Sequence, residues 1–304
     1  MNNQKITIDF IGIGAGRSGT IWILNALGEH PEICFPYKKE LNYFSSPRPE
    51  GGPSEYEKRG INGYLKLFKS CQGKIKGEFS SHYMPDLKVA KIIKKNFPDI
   101  KIWACIREPV ERAFSDYVRG KEFHLKENED FETAFKAKKN KLYKEGDGYR
   151  ERGFYYKQLK PYFDLFPRKN IKVILFEDFK KDNKKVIKEL YKFLGVDPNF
   201  TPSIIGKRIN ERTGAKFKSL RAFISFLAKM SHKLERSSIG NIIFAFKRET
   251  KIDEFFNKLN EKNTKKIAEN EILNIELHKK LKKFYSEDIK KLEELIKRDL
   301  NLWK

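Results

Sequence analysis

The sequence holds few of the residues that build disulfide frameworks or metal sites. Its 304 residues include three cysteines, Cys34, Cys71 and Cys105, which show no CxxC spacing. Two of them lie in apolar runs, so we expect buried, reduced thiols, and such thiols favour a reducing cytoplasm. The five histidines form no HExxH or comparable ligand pattern, and the sequence predicts no metal site.

Long apolar runs are missing as well. No stretch approaches the roughly 20 apolar residues that a helix needs to cross a bilayer. The N-terminus leads into the first strand without an apolar signal segment. We therefore predict a cytoplasmic location and no transmembrane segment.

Acidic residues are outnumbered. The chain has 64 lysines and arginines against 41 aspartates and glutamates, a formal net charge of +23. This excess suits polyanionic partners, and one interpretation is a basic polyanion-binding or nucleic-acid-binding protein. Most of the excess is lysine in helical patterns, which a solvated helix face explains better, and no aromatic residues interleave with arginines as in a nucleic-acid module. We predict no specific nucleic-acid partner, whereas peripheral contact with an anionic membrane stays open.

The most informative segment that is present is a glycine-rich turn, Phe10-Ile-Gly-Ile-Gly-Ala-Gly-Arg-Ser-Gly-Thr-Ile-Trp22. It follows an alternating apolar run, typical of a buried strand, and opens a helix. Its four glycines let the chain turn tightly and let bare backbone approach a ligand. Ser18, Gly19 and Thr20 would present N–H groups at the N-terminus of the helix, where a phosphate or sulfate is favoured.

This turn lacks the Gly-Lys-Ser/Thr ending of nucleoside triphosphatases, whose lysine reaches the outer phosphates and whose hydroxyl holds magnesium. Thr20 follows Gly19 directly, and the cation of the turn, Arg17, precedes the helix. Magnesium-dependent ATP chemistry is therefore disfavoured, and a P-loop small-molecule kinase is an alternative interpretation. A dinucleotide-binding Gly-x-Gly-x-x-Gly pattern fits only loosely, with Glu40 as the acid expected about twenty residues on.

Further strands are predicted at 100–106 and 171–176, each followed by a helical pattern. Strands alternating with helices predict a parallel sheet covered on both faces, with ligands at the carboxyl ends of its strands. Residues 45–63, rich in Pro, Gly and Ser, predict a surface loop or lid. No convincing strand follows residue 215, so we expect an α/β core over 1–214 and a helical C-terminal part over 215–304 packed on the same domain.

A second candidate anion site follows the strand at 100–106. Arg107 stands at the strand end, Pro109 fits the first turn of a helix, and Ser115 comes two helical turns later. This combination could grip a second phosphate well away from the first. Two phosphate sites imply a bisphosphorylated nucleotide.

Together, the turn with Arg17 and the element from Arg107 to Ser115 closely resemble the sulfotransferase family. The resemblance implies a P-loop-like three-layer α/β sandwich with a central parallel sheet and a helical C-terminal extension. It also implies 3′-phosphoadenosine 5′-phosphosulfate as co-substrate, adenosine 3′,5′-bisphosphate as product, no permanently bound cofactor and no metal.

The resemblance assigns roles to residues of this nucleotide site. Arg17 would neutralise charge on the oxygen between phosphate and sulfuryl as that bond breaks. The residues matched to the 5′-phosphate and its surroundings are Ser18, Gly19, Thr20, Ile21, which replaces a common second Thr, and Trp22, near the adenine. Arg107 and Ser115 would bind the 3′-phosphate. Arg208 and Asn210 lie where relatives close a basic loop over the nucleotide.

The acceptor requires a base, and Glu40 is the first candidate. It lies in Lys39-Glu-Leu-Asn-Tyr-Phe44, which resembles the Lys-Glu-x-His-Phe-Phe element of Golgi glycan sulfotransferases. Glu78 and His82 are the alternatives, in a segment where the family's Glu-Lys-Thr/Ser-Pro pattern is broken by Phe79 and Ser81. The resemblance thus implies sulfuryl transfer to a hydroxyl or amine, with a carbohydrate or lipid-linked glycan favoured and other lipids and small molecules open as acceptors.

Overall fold

The computed structural model of the chain describes residues 7–36, 40–46, 52–71, 74–122, 129–137, 148–206, 213–215, 259, 264–266 and 272–304. These residues divide into two compact units, one formed by 1–209 with 273–304 and the other by 210–272. The first unit is built on a five-stranded parallel sheet. Its strands are β1 (Phe10–Gly12), β2 (Ile33–Cys34), β3 (Ile75–Phe79), β4 (Lys101–Ile106) and β5 (Ile171–Leu175).

The strands are ordered β2-β3-β1-β4-β5 across the sheet, and each neighbouring pair is parallel. Their carboxyl ends therefore share one edge, where ligands bind in open α/β sheets. The helices of this unit are α1 (Thr20–Glu29), α2 (Glu55–Lys66), α3 (Val89–Asn96), α4 (Pro109–Glu122), α5 (Phe131–Lys136), α6 (Tyr155–Leu165), α7 (Phe176–Lys181), α8 (Asn183–Leu194), α9 (Ile275–Lys282) and α10 (Ser286–Ile296).

Both faces of the sheet are buried, as the alternation of strands and helices predicts. Along β4, Ile102, Ala104 and Ile106 belong to one hydrophobic cluster, whereas Trp103 and Cys105 belong to another. The first cluster includes residues of α4, α6 and α10, and the second includes residues of α1 and α8. The predicted three-layer α/β architecture is therefore confirmed.

The C-terminal helices pack within this unit. Asp288 of α10 accepts a hydrogen bond from the backbone N–H of Tyr156, at the start of α6, over 3.0 Å. The Arg168 guanidinium donates to the carbonyls of Leu295 and Ile296 at the end of α10, each over 2.6 Å. The helical C-terminal extension is thus present and covers the first hydrophobic cluster. None of the described helices is long and apolar enough to cross a membrane.

Strand β3 was not predicted from the sequence. It carries Gly77 and Glu78 at buried positions, and neither residue gives a strand signal. Gly77 is required because a Cβ there would run into the Phe10 ring on β1. Glu78 is accommodated by hydroxyl groups described below. The expectation of no strand beyond 215 was also wrong, since β6 (Thr213–Ala215) pairs antiparallel with β7 (Thr264–Lys266) in the second unit.

The prediction of a loop over 45–63 was partly wrong, because α2 occupies its second half. Ser54 caps this helix through a capping box, in which its hydroxyl accepts from the Glu57 N–H and the Glu57 carboxylate accepts from the Ser54 N–H. This Ser-x-x-Glu spacing is a helix-start signal. The helix is kinked at Gly60, where φ is 60°.

The expectation of three reduced thiols was wrong for two of them. Cys34 and Cys71 form a disulfide, with their Cα atoms 5.6 Å apart. They meet because β2, which ends at Cys34, pairs with β3, which Cys71 precedes by a few residues. Cys105 is buried and unbridged as predicted, and burial raises the pKa of its thiol. The thiol argument for a reducing compartment therefore falls away, and the cytoplasmic location stays a prediction.

The disulfide predicts how many free thiols the protein has. Protein unfolded without reductant should titrate one thiol, Cys105, and three after reduction. The bridge links residues 37 positions apart, so its loss should lower the free energy of unfolding by about 4 kcal/mol in the chain-entropy account. Denaturant unfolding of wild type and Cys34→Ala/Cys71→Ala, with Cys105→Ala as the control that keeps the bridge, measures this. Three thiols without reductant would contradict the pairing.

Candidate functional site

The turn after β1 presents backbone and hydroxyl groups at the start of α1. Gly19 has a φ of 77°, and a Cβ there would lie 2.8 Å from the Phe176 ring, so a side chain is excluded twice over. Ser18 is fully buried, and its hydroxyl has no hydrogen-bond partner within the described part of the chain. Thr20 begins the helix and is also buried. The first N–H groups of a helix have no partner within the helix, and beside a buried hydroxyl such groups are suited to binding an anion.

Arg107 stands at the exit of β4 in a fixed orientation. Its Nε and Nη2 atoms donate to one carboxylate oxygen of Glu111 over 3.2 and 2.7 Å. The guanidinium also lies over the Phe176 ring, 4.9 Å from the centroid. About a fifth of the side chain is exposed, so a cation is held at the carboxyl edge of the sheet where an anionic ligand can reach it.

The two predicted motifs meet in space. Nη2 of Arg17 donates to Oγ of Ser115 on α4 over 3.2 Å, although the residues are 98 positions apart. The contact follows from the sheet, since β1 and β4 are parallel neighbours and their backbones remain bonded beyond β1, from the Ala15 N–H to the Cys105 carbonyl. The turn with Arg17 and the element from Arg107 to Ser115 are therefore two walls of one site.

Glu40 lies beside the same turn. Its Oε2 accepts a hydrogen bond from the Ser81 hydroxyl over 2.8 Å. Ser81 in turn adjoins the turn, because a Cβ built at Gly16 would be 3.6 Å from the Ser81 Cβ. Glu40 is half-buried and has a φ of 52°, an uncommon conformation for a non-glycine residue. The arrangement puts the carboxylate of a half-buried residue next to the candidate anion-binding turn.

Glu78, at the end of β3, is 1 % exposed. Three hydroxyls donate to its carboxylate: Tyr64 over 3.0 Å and Tyr83 over 2.6 Å to Oε1, and Ser80 over 2.8 Å to Oε2. Burial raises the pKa of Glu78 to about 7, against the lowering effect of these three donors, and the nearby charge of Glu40 adds to the rise. His82 follows in the next turn and is half-buried.

The other predicted site residues are placed differently. Trp22 is 4 % exposed and packs edge-on against Phe179, with centroids 4.8 Å apart, inside the second hydrophobic cluster. Ile21, on the same helical turn, is 52 % exposed. Arg208 and Asn210 lie outside the described residues.

Sequence reasoning missed several partners at this site. Glu111, which holds Arg107, was detectable from its i,i+4 spacing. Arg112, a mid-helix arginine on α4 that spacing alone would pair with Glu108 or Glu111, is buried and pairs instead with Asp116 and the Tyr149 carbonyl. Ser81 and Tyr83 carried no signal of their own, because their contacts depend on a segment far away in the chain.

Comparisons with known proteins identify the family of the chain. The family model for the sulfotransferase domain matches residues 7–283. A crystal structure of a sulfotransferase from Alicyclobacillus acidocaldarius matches with a TM-score of 0.68 and 26 % identity over 98 % of each chain. The membrane-associated sulfotransferase kil1 of Dictyostelium discoideum is 32 % identical over 113 residues, which are 36 % of this chain. The match spans only 22 % of the length of kil1.

The raised pKa of Glu78 predicts a pH-dependent stability. A carboxyl whose pKa rises from 4.5 to about 7 on folding stabilises the fold below about pH 4.5 and loses that contribution as pH rises through 7. Relative to Glu78→Gln, wild type should therefore lose up to about 3 kcal/mol of unfolding free energy between pH 4.5 and 8. Denaturant titrations at several pH values measure the difference, since all other ionisable groups are shared. Parallel pH profiles would contradict the raised pKa.

Proposed function

The chain belongs to the sulfotransferase family, and we propose that it transfers the sulfuryl group of 3′-phosphoadenosine 5′-phosphosulfate to a hydroxyl or amine of an acceptor. The observation that carries the proposal is the hydrogen bond between Arg17 and Ser115. It joins two anion-binding elements into one site, as a nucleotide with phosphates at two positions requires.

We assign the 5′-phosphosulfate to the turn after β1. The N–H groups of Ser18, Gly19 and Thr20 and the hydroxyls of Ser18 and Thr20 are suited to the 5′-phosphate, and Arg17 directly precedes them in the turn. As the bond between sulfur and the bridging oxygen breaks, its electron pair stays on that oxygen, and Arg17 neutralises the developing charge. Ser115 keeps the guanidinium in place from the other wall of the site.

We assign the 3′-phosphate to Arg107 and Ser115. Arg107 is already oriented by Glu111 and Phe176, so little side-chain freedom is lost when the phosphate binds. Glu111 would share the guanidinium with the phosphate, because an arginine has five N–H donors.

We propose Glu40 as the general base. Its carboxylate is half-buried, and Ser81 donates to Oε2, which leaves Oε1 for the acceptor. Glu40 takes the proton of the acceptor hydroxyl as the acceptor oxygen attacks sulfur. Glu78 is a weaker candidate because it is 1 % exposed and its two oxygens hold three hydroxyls. His82 ranks third.

We propose a carbohydrate, free or lipid-linked, as the acceptor class. The support is the resemblance of Lys39–Phe44 to the corresponding element of glycan sulfotransferases, in which Glu40 occupies the position of the base. The charge of +23 suits an acceptor that carries acidic groups or lies at an anionic membrane.

Nucleotide binding tests the two-walled site. Arg17→Ala and Arg107→Ala should each weaken adenosine 3′,5′-bisphosphate binding by about 10- to 100-fold, because each removes charge-assisted hydrogen bonds. Lys291→Ala removes one positive charge from an exposed side chain on α10 and should leave the dissociation constant unchanged. Calorimetry with this nucleotide and with magnesium-ATP makes the measurement. Binding of magnesium-ATP alone would favour a kinase, and salt-sensitive binding of nucleic acid alone would favour a polyanion-binding protein.

Turnover tests the base. Glu40→Gln should leave the dissociation constant for adenosine 3′,5′-bisphosphate unchanged and lower transfer by at least about 100-fold. Radiolabelled donor, offered with a panel of carbohydrates, lipid-linked glycans and phenols, reports transfer. Glu287→Gln, on an exposed side chain of α10, is the matched control. Unchanged turnover in Glu40→Gln would move the base to Glu78 or His82.

A further inference from the structure

Two consecutive backbone N–H groups next to Glu40 end on side-chain hydroxyls. The Asn42 N–H donates to Oγ of Ser80, and the Tyr43 N–H donates to the Tyr83 hydroxyl, each over 2.9 Å. Both hydroxyls in turn donate a hydrogen bond to the Glu78 carboxylate, Ser80 to Oε2 over 2.8 Å and Tyr83 to Oε1 over 2.6 Å. One buried carboxylate therefore holds two neighbouring peptide groups through two hydroxyls.

This segment needs an external anchor. Glu40 and Asn42 have φ values of 52° and 49°, in the left-handed region that non-glycine residues rarely adopt. Such backbone persists only when surrounding contacts hold it. Residues 40–46 belong to neither a helix nor a strand, so no regular ladder supplies those contacts.

A carboxylate at Glu78 suits this anchor better than any neutral side chain. A hydroxyl has one hydrogen, and it accepts from a backbone N–H while donating that hydrogen elsewhere. The ionised carboxylate, which prevails above about pH 7, only accepts, so it turns both hydroxyls the same way and strengthens both bonds. A glutamine would place a donor NH₂ group against one of the two hydroxyls and reverse the direction of that hydrogen bond.

The Glu40 end of the segment contacts the residues that follow β3 and, through them, the turn after β1. The Glu40 carboxylate accepts from Ser81, which lies between Ser80 and Tyr83 in sequence and adjoins Gly16 of the turn after β1. The segment is thus fixed to the residues that follow β3. Because β3 pairs with β1, it is also fixed relative to Arg17.

We propose that Glu78, Ser80 and Tyr83 form a positioning relay that sets the place of the Glu40 carboxylate through the N–H groups of Asn42 and Tyr43. The inference rests on the proposed function, in which Glu40 is the base. Glu78 acts through other residues and does not touch the acceptor. Glu78, an alternative base in the sequence analysis, is thereby assigned a positioning role.

Tyr64 provides a matched control. Its hydroxyl donates to the same Oε1 of Glu78 as that of Tyr83, and both side chains are fully buried. Only the Tyr83 hydroxyl also accepts from a backbone N–H of the segment. Tyr83→Phe and Tyr64→Phe each remove one hydroxyl from Oε1, and only the first leaves the Tyr43 N–H without its acceptor.

The experiment compares Tyr83→Phe, Ser80→Ala and Tyr64→Phe in the full chain. All three should bind adenosine 3′,5′-bisphosphate within about twofold of wild type, since the relay does not touch the nucleotide site. Turnover should fall by about 10- to 100-fold in Tyr83→Phe and Ser80→Ala, with KM for the donor unchanged, because small displacements of a catalytic group are costly. Tyr64→Phe should stay within about threefold. Amide hydrogen exchange at residues 42 and 43 should accelerate in the first two variants only.

Equal turnover of Tyr83→Phe and Tyr64→Phe would overturn the relay, as would unchanged exchange at residues 42 and 43. Ser80→Ala repeats the test on the other arm, so that a folding defect in one variant does not decide the outcome. Failure of the proposed function looks different. In that case the wild-type chain itself neither binds adenosine 3′,5′-bisphosphate nor transfers a sulfuryl group.

Discussion

Strand β1 pairs in parallel with β3 on one side and β4 on the other, and the candidate site depends on this double pairing. It brings the chain after all three strands to one edge of the sheet, where Arg17 reaches Ser115 and Ser81 reaches Gly16. The pairing in turn depends on small residues. A Cβ at Gly12 would collide with the Trp103 and Phe79 rings, so the strand can lie between these two aromatic side chains only as glycine.

The candidate anion-binding arginines and the candidate base lie on different sides of this edge. The cations come from the turn after β1 and the exit of β4, whereas Glu40 and Glu78 come from the segment and the strand on the other flank. Each charged group has a local partner that limits its motion, such as Glu111 for Arg107 and Ser81 for Glu40. The site is therefore ordered before any ligand arrives, which is the arrangement that electrostatic catalysis requires.

The sequence was sufficient for the parts of the fold that follow local rules. The apolar runs of β4 and β5 predicted both strands. Helix α4 begins at Pro109 as predicted, and the glycine-rich turn leads into a helix as expected. β3 could not be predicted, because Glu78 is buried only thanks to hydroxyls from Tyr64, Ser80 and Tyr83, which tertiary structure brings together. The Cys34–Cys71 disulfide could not be predicted either, because the pairing of β2 with β3 brings the two cysteines together and their spacing in the sequence gives no sign of it.

The bridge also bears on how far the carboxylate of Glu40 can travel. Glu40 is six positions after Cys34 and two before Asn42, and both of these residues are attached to the region of β3, one by a covalent bond and the other by a hydrogen bond. A chain so short spans at most about 20 Å from its covalent end, and its second attachment shrinks that volume further. Confinement of this kind raises the local concentration of a tethered group without adding a single contact to it.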